Sequence, residues 1–306
     1  MSKVAVVFGG QGSQYSGMGK KLLENYPEIS NIYSILGKEL SDISFNGDIE
    51  IISKTDNLQP IMLAFQLSVV KLIKENLNIS ATCGLSLGEY GALVLSEVID
   101  EKAALELVKV RGFEMNLASN EVESGMLAVM NSNEDDLKNF INNNELKDRV
   151  YVANINSSKQ IVISGEKTGI QKLQIILKEN GIKAIPLKVS GAFHTPFMYS
   201  AAKNYKQFLK NVKFSEPKMD YYPNLSGEKY NGEEMVDLLC EQIVSPVLLY
   251  KTLKNMVDDG VDTFIEIGPG SVISSIVKKE FKGIDVQTLK NDDEIINYIE
   301  RFKNGE

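Results

Sequence analysis

Gly84-Leu85-Ser86-Leu87-Gly88 fits the pattern G-x-S-x-G, between a short strand candidate, Ala81-Thr82-Cys83, and a helical pattern that begins at Leu87. A serine on a sharp strand-to-helix turn holds its hydroxyl exposed, and only small residues fit two positions to either side. In that setting the hydroxyl is a nucleophile, and the N–H of Leu87 can face a developing oxyanion. The competing reading is an ordinary N-capping serine. A serine nucleophile needs a base. The chain has one histidine, His194, in a loop that leads into a helical segment. Any Ser-His pair is therefore Ser86–His194; the alternative is a surface or capping histidine. No acidic third member is evident, so a backbone or amide oxygen would have to fix the imidazole tautomer.

Arg111 is one of three arginines. On a helix that starts after Asp100, it shares a face with Ala104, Leu107, Val108 and Met115, at steps of three and four. That face is apolar, so Arg111 points toward the core or a cleft, where a guanidinium without an anion costs several kcal/mol. It is either half of an internal salt bridge or a bidentate clamp for a substrate carboxylate. The glycine-rich loop Phe8-Gly9-Gly10-Gln11-Gly12-Ser13-Gln14 follows the first strand. It lacks the third glycine of a dinucleotide fingerprint, where Tyr15 stands, and the first glycine of a phosphate loop, where Gln14 stands. Neither NAD nor ATP is supported. The loop is either a plain βα turn or the source of a second oxyanion N–H, with Gln11 the candidate.

The elements that must position these residues alternate. Residues 4–8 read as a buried strand, 60–75 as a helix with Pro60 in its first turn, 87–98 as a helix, and 101–118 as a helix capped by Asp100. From 125 to 189 the rhythm becomes strand 126–130, helix 133–143, strands 150–155 and 160–164, helix 167–180 and strand 182–189. That β-α-β-β-α-β order is the order of a ferredoxin-like unit. Helical segments near 196–211 and 233–258 follow, then a strand at 263–267 and a helix. The expected architecture is an α/β core with a parallel sheet, residues 1–124 and 190–306, interrupted by a ferredoxin-like subdomain, residues 125–189.

Composition narrows the function. The chain has 306 residues, 43% hydrophobic and 24% charged, enough for a sizeable core. A net charge of −8 without a basic run argues against nucleic acid and anionic membranes. No apolar run approaches a membrane span. Two distant cysteines, Cys83 and Cys240, and one histidine exclude a Cys- or His-rich metal site, and make a reducing cytoplasm the default compartment.

Together these pieces resemble the malonyl-CoA:acyl carrier protein transacylases and their acyltransferase relatives of fatty-acid and polyketide synthesis. The resemblance runs in order through the glycine loop with Gly17-Met18-Gly19, Gln59-Pro60, the serine motif with Glu89-Tyr90, and Val110-Arg111-Gly112 with Met115. It continues through Asn154 and Asn156, Ala192-Phe193-His194, Asn224, Gln242 ahead of Pro246-Val247, and Glu266-Ile267-Gly268-Pro269-Gly270. It implies a hydrolase-like α/β core with the inserted subdomain. Ser86 would be the acylated nucleophile and His194 its base. Gln242 would orient the histidine through a carbonyl oxygen, and Gln11 and Leu87 would form the oxyanion hole. Arg111 would hold the malonyl carboxylate, with Met115, Asn156 and Phe193 beside the substrate. The implied substrate is malonyl-CoA and the implied partner an acyl carrier protein, with no cofactor or metal; a monomer is expected. A trans-acting acyltransferase of a polyketide synthase shares this chemistry. A Ser-His thioesterase or esterase would share Ser86 and His194 but leave Arg111 without a task. One position departs from the family: Leu85 stands where a histidine usually precedes the nucleophile, which removes a polar group near the site. Phe193 resembles the choice of malonyl-selective members.

Overall fold

The computed structural model describes residues 2–187, 189 and 191–304, without the side chains of 302–304. Its strands are β1 Val4–Phe8, β2 Ile79–Gly84, β3 Ser124–Met130, β4 Val150–Ser157, β5 Gln160–Glu166, β6 Ala184–Leu187, β7 Asp220–Tyr221, β8 Thr263–Ile267 and β9 Asp285–Leu289. β1 is buried from Ala5 to Phe8, as a strand covered on both faces must be. It is the centre of a five-stranded parallel sheet of order β7-β2-β1-β8-β9. Val6 and Phe8 face one apolar layer, which includes the helices Thr55–Ile73 and Glu101–Ser119; Ala5 and Val7 face the other, with Phe264, Ile273 and Val277. This alternation is the period-2 geometry of a strand.

The second sheet has four antiparallel strands in the order β4-β5-β3-β6. With the helices Glu134–Asn143 and Lys167–Glu179 it forms the ferredoxin-like unit expected from the strand and helix order. Leu127, Val129, Ile161 and Ile163 pack on those helices as a separate core. Met126, Ala128, Val162 and Leu187, on the other face, line a cleft toward the parallel sheet. β4 shifts register between Val152 and Asn154. The bulge rephases the strand, so that Val152 and Ile155 both face the small core while Asn154 and Asn156 turn to the cleft.

Several boundaries differ from the sequence expectation. The first long helix begins at Thr55, so Pro60 lies inside it and not in its first turn. The helix after the serine is a 3-10 turn, Ser86–Gly88, followed by Glu89–Leu95. The segment 233–258 is two helices, Met235–Val244 and Leu249–Asp258, because Pro246 cannot continue a helix. Between them Val247 bridges Asn154 of the subdomain. Of the strand expected at 182–189, Ala184–Leu187 is a strand and Ile182 and Lys183 are not; Lys188 in that span, and Ser190 at the expected subdomain boundary, lie outside the described residues. Asp100 caps its helix as read, its carboxylate accepting the Ala103 N–H at 2.7 Å. Among the described residues no helix is long and apolar enough to cross a membrane, and no group of three or more His, Cys, Asp or Glu is placed to hold a metal.

Candidate active site

Three neighbouring parallel strands, β2, β1 and β8, end at Gly84, Phe8 and Ile267. The serine turn, the glycine-rich loop and Gly268-Pro269-Gly270 therefore meet at the carboxyl edge of the sheet, where open α/β sheets bind ligands. Ser86 has φ 53°, a left-handed conformation that non-glycine residues rarely adopt. The turn tolerates nothing larger at its flanking glycines. A Cβ on Gly84 would lie 2.0 Å from the carbonyl carbon of Gly88, and one on Gly88 would lie 2.3 Å from the Phe8 carbonyl oxygen. Asn224 clamps the turn from a distant loop. Its Oδ1 accepts the Ser86 N–H at 2.7 Å and its Nδ2 donates to the Gly84 carbonyl at 2.5 Å. The Ser86 side chain makes no helix cap, so the capping reading of this serine fails.

Ser86 Oγ lies 2.8 Å from His194 Nε2. His194 is 4% exposed, not a surface histidine, and shares the left-handed backbone with φ 60°. Its Nδ1 lies 2.8 Å from the main-chain carbonyl of Gln242. A carbonyl only accepts, so Nδ1 carries the proton and Nε2 turns its lone pair to the serine. No carboxylate stands behind the imidazole. Burial, and next the nearby Arg111 charge, hold the ring well below its ordinary value, at about 4, against the raising effect of the Gln242 contact. A ring held there is neutral above about pH 4, with its Nε2 lone pair turned to the serine hydroxyl.

Arg111 is 1% exposed. Its Nη1 donates to Gln59 Oε1 at 2.7 Å, and its Nη2 to Gln242 Oε1 at 3.0 Å and to Ser86 Oγ at 3.2 Å. The guanidinium lies 5.7 Å from the Tyr90 ring centroid, near enough for the cation to be drawn to the ring. Its Nε has no partner. Among the described residues no carboxylate forms an ion pair with it, so the internal salt-bridge reading fails. A buried cation that hydrogen-bonds only to neutral amides and a hydroxyl, with the Glu89 carboxylate acting on it from across Gln242, gains from a ligand that brings an anion into direct contact.

Ser86, His194 and Gln59 line a cleft of about 250 Å³, bounded on the far side by the subdomain sheet; Arg111 and Gln242 lie just behind its wall, Arg111 reaching it through its contacts with Ser86 Oγ and Gln59. Gln11, Met115, Asn156 and Phe193 all line it, as does Leu85. Asn156 Oδ1 is buried without a partner. Phe193 is 4% exposed and its ring narrows the cleft beside the histidine. Leu87 does not line the cleft; its side chain is buried in the core. Its N–H belongs to the first turn after Ser86, where helical backbone has no internal acceptor. Leu85 presses on the glycine loop, since a Cβ on Gly10 would lie 3.1 Å from Leu85 Cγ and from its carbonyl oxygen.

The model of the acyl transferase domain family matches residues 5–296. The chain belongs to the acyl transferase family. The chain is 36% identical to the malonyl CoA-acyl carrier protein transacylase of Bacillus subtilis, over 99% of this chain and 98% of that one. Among solved structures, the malonyl CoA-acyl carrier protein transacylase of Clostridium perfringens superposes with a TM-score of 0.92 at 32% identity, covering 99% of this chain and 98% of that one. A malonyl-transacylase in complex with a type II polyketide acyl-carrier protein superposes with a TM-score of 0.91 at 30% identity, covering 98% of this chain and all of that one.

Three residues of this acyl transferase site had no role assigned from sequence. Gln59 receives Arg111, and its Nε2 also points to Met115 Sδ at 3.5 Å. Asn224 brackets the serine turn. Glu89, fully buried, accepts hydrogen bonds from the Tyr221 hydroxyl at 2.5 Å, the Asn224 N–H at 3.0 Å and Gln242 Nε2. Burial pushes its carboxyl up to about 6, although those three bonds and Arg111 act the other way. A sequence signal existed for each: Gln59 precedes Pro60, Glu89 follows the G-x-S-x-G motif, and Asn224 follows Pro223. Their partners are far apart in the chain, however, and only the fold supplies them.

Proposed function

We propose that this acyl transferase moves the malonyl group of malonyl-CoA to the phosphopantetheine thiol of an acyl carrier protein, through a malonyl ester of Ser86, and so supplies malonyl units for fatty-acid synthesis. The observation that carries the reading is the buried Arg111 guanidinium, without a carboxylate partner and 3.2 Å from the nucleophile. A hydrolase of simple esters has no use for it. The relatives, named as malonyl transacylases over their whole length, support the same reaction.

His194 Nε2 takes the Ser86 proton as Oγ adds to the thioester carbonyl. The oxyanion is held by the N–H groups of Gln11 and Leu87. Collapse breaks the C–S bond, and the imidazolium returns its proton to the CoA thiolate. The carrier thiol then gives its proton to His194 and adds to the ester carbonyl. The C–Oγ bond breaks and Ser86 recovers the proton. Meanwhile the malonyl carboxylate takes over the Arg111 donor now spent on Ser86 Oγ, which fixes the acyl carbon for transfer. Phe193 crowds an α-methyl branch, which disfavours methylmalonyl by ~1–3 kcal/mol. Since one chain supplies every group of the cleft, a monomer suffices. The two buried free cysteines, Cys83 and Cys240, suit the cytoplasm.

The test is intact mass after mixing with malonyl-CoA, then after adding holo carrier protein. A malonyl adduct that moves to the carrier is expected; an adduct lost equally fast to water without the carrier would overturn the reading in favour of a hydrolase. A polyketide-type carrier is the second acceptor to try, because one superposable relative is bound to such a protein.

The base makes a pH prediction. His194 must be neutral to accept the serine proton, and its folded value of about 4 lies below that of a free imidazole. The acid limb of kcat/KM for acetyl-CoA, which brings no carboxylate, should therefore fall near pH 4. A limb near 6.5 would mean that the ring is not held neutral by burial and Arg111.

A further inference from the structure

Glu89 is a fully buried carboxylate in contact with Gln242, and nothing in the reaction above uses it. Its two oxygens are not equivalent. Oε1 already accepts from the Tyr221 hydroxyl and the Asn224 N–H. Among the described residues, Oε2 accepts only from Gln242 Nε2. The same Nε2 donates to the Ser86 carbonyl at 3.0 Å, while Gln242 Oε1 accepts from Arg111 Nη2. The Gln242 amide is thus wedged between a carboxylate and a guanidinium. One orientation satisfies both neighbours. The flipped one sets its N–H groups against the guanidinium and its oxygen against the carboxylate, two repelling pairs.

We propose that Glu89 is a positioning residue: it fixes which way round the Gln242 side-chain amide lies and, through it, where the Arg111 clamp sits. The proposal rests on the malonyl reading of Arg111. It also sets what happens when Glu89 becomes neutral. With Oε1 taken by two donors, the added proton must reside on Oε2, against Gln242. Two donors then face each other and the amide turns over. Its N–H groups now meet Arg111 Nη2 and displace the guanidinium from its seat beside Ser86. The His194–Ser86 Oγ contact does not pass through the amide, because His194 is held by the Gln242 main chain; the Ser86 carbonyl does lose its Gln242 donor, a loss common to both acyl donors that cancels in their ratio.

The titratable and charged groups around Glu89 are Arg111 from the helix Glu101–Ser119, Tyr221 of β7, Cys83 of β2 and Tyr90 on its own helix. The two tyrosines and the cysteine are pushed upward by burial and stay neutral. Glu89 titrates at about 6, the histidine nearer 4. The two events are therefore separable along the pH axis.

Glu89→Gln imitates the neutral acid, with its carbonyl toward Tyr221 and its NH₂ toward Gln242. The experiment measures kcat/KM for Ser86 acylation by malonyl-CoA and by acetyl-CoA, from pH 4.5 to 8.5, in the full chain and in the variant. In the full chain the malonyl-to-acetyl ratio should fall roughly tenfold as the pH drops through about 6. In Glu89→Gln the ratio should be low and flat across the range. A ratio that is unchanged or raised in the variant would overturn the proposal. A rise is what simple removal of a negative charge near Arg111 would give, and equal losses with both donors would mark Glu89 as structural only. If the variant does not fold, the pH dependence of the wild-type ratio decides by itself: a flat ratio overturns the proposal. Failure of malonyl-CoA to label the wild type would instead overturn the malonyl reading, on which the proposal stands.

Discussion

Replacing Ser86 by alanine should remove the acyl adduct altogether and lower malonyl transfer by roughly 10⁴-fold or more. Among the described residues its oxygen alone lies within hydrogen-bond distance of both the imidazole and the guanidinium: His194 Nε2 at 2.8 Å on one side, Arg111 Nη2 at 3.2 Å on the other. In the proposed reaction no ester forms without it and both half-reactions lose their intermediate, so no neighbouring group should compensate. The fold survives the change. The strained backbone at φ 53° is held by Asn224 through main-chain groups, and alanine carries the same Cβ as serine. Intact mass after malonyl-CoA, with a thermal melt as control, checks both parts. An adduct on the variant would move the nucleophile elsewhere.

Replacing Arg111 by alanine separates binding from chemistry. Loss of charge-assisted hydrogen bonds to a carboxylate in a buried site costs about 3 kcal/mol, which is roughly a 10²-fold fall in malonyl kcat/KM. Acetyl-CoA brings no carboxylate, so its acylation should change far less. Its acid limb should also move upward, because the Arg111 charge is the second cause of the low value of His194. Arg111→Lys should fall between the two, since an ammonium lacks the guanidinium's planar fork. The check is parallel single-turnover acylation with the two donors. Equal losses with both would mean that Arg111 serves the serine and not the substrate, and the malonyl assignment would fall with it.

Much of this site was legible without coordinates because its rarest residues leave few choices. One histidine and one elbow serine allow one Ser-His pair. Helical spacing alone turns Arg111 inward, and the glycines at 84 and 88 are required by a turn whose contacts are set within five residues. These are local or combinatorial facts. The β-α-β-β-α-β rhythm of the subdomain was equally plain, since each of its elements is long enough to show its own period.

What the fold alone decided were the questions that depend on a partner remote in sequence. Whether Arg111 meets a carboxylate or three neutral groups depends on Gln59, Ser86 and Gln242, brought together from two long helices, the serine turn and the segment before Pro246. β7 and β9 were not anticipated either: β7 has two residues, too few to display a period, and β9 is half-exposed at a sheet edge. The place of Glu89 was hidden for the same reason. A glutamate one turn into a helix reads as a solvated residue, favoured near the positive end of the helix dipole. Only the packing of Tyr221, Asn224 and Gln242 around it makes it a buried carboxylate. Sequence fixes residue types and short-range geometry; hydrogen bonds across more than a hundred residues are selected when the chain closes its core and must satisfy every polar group it buries.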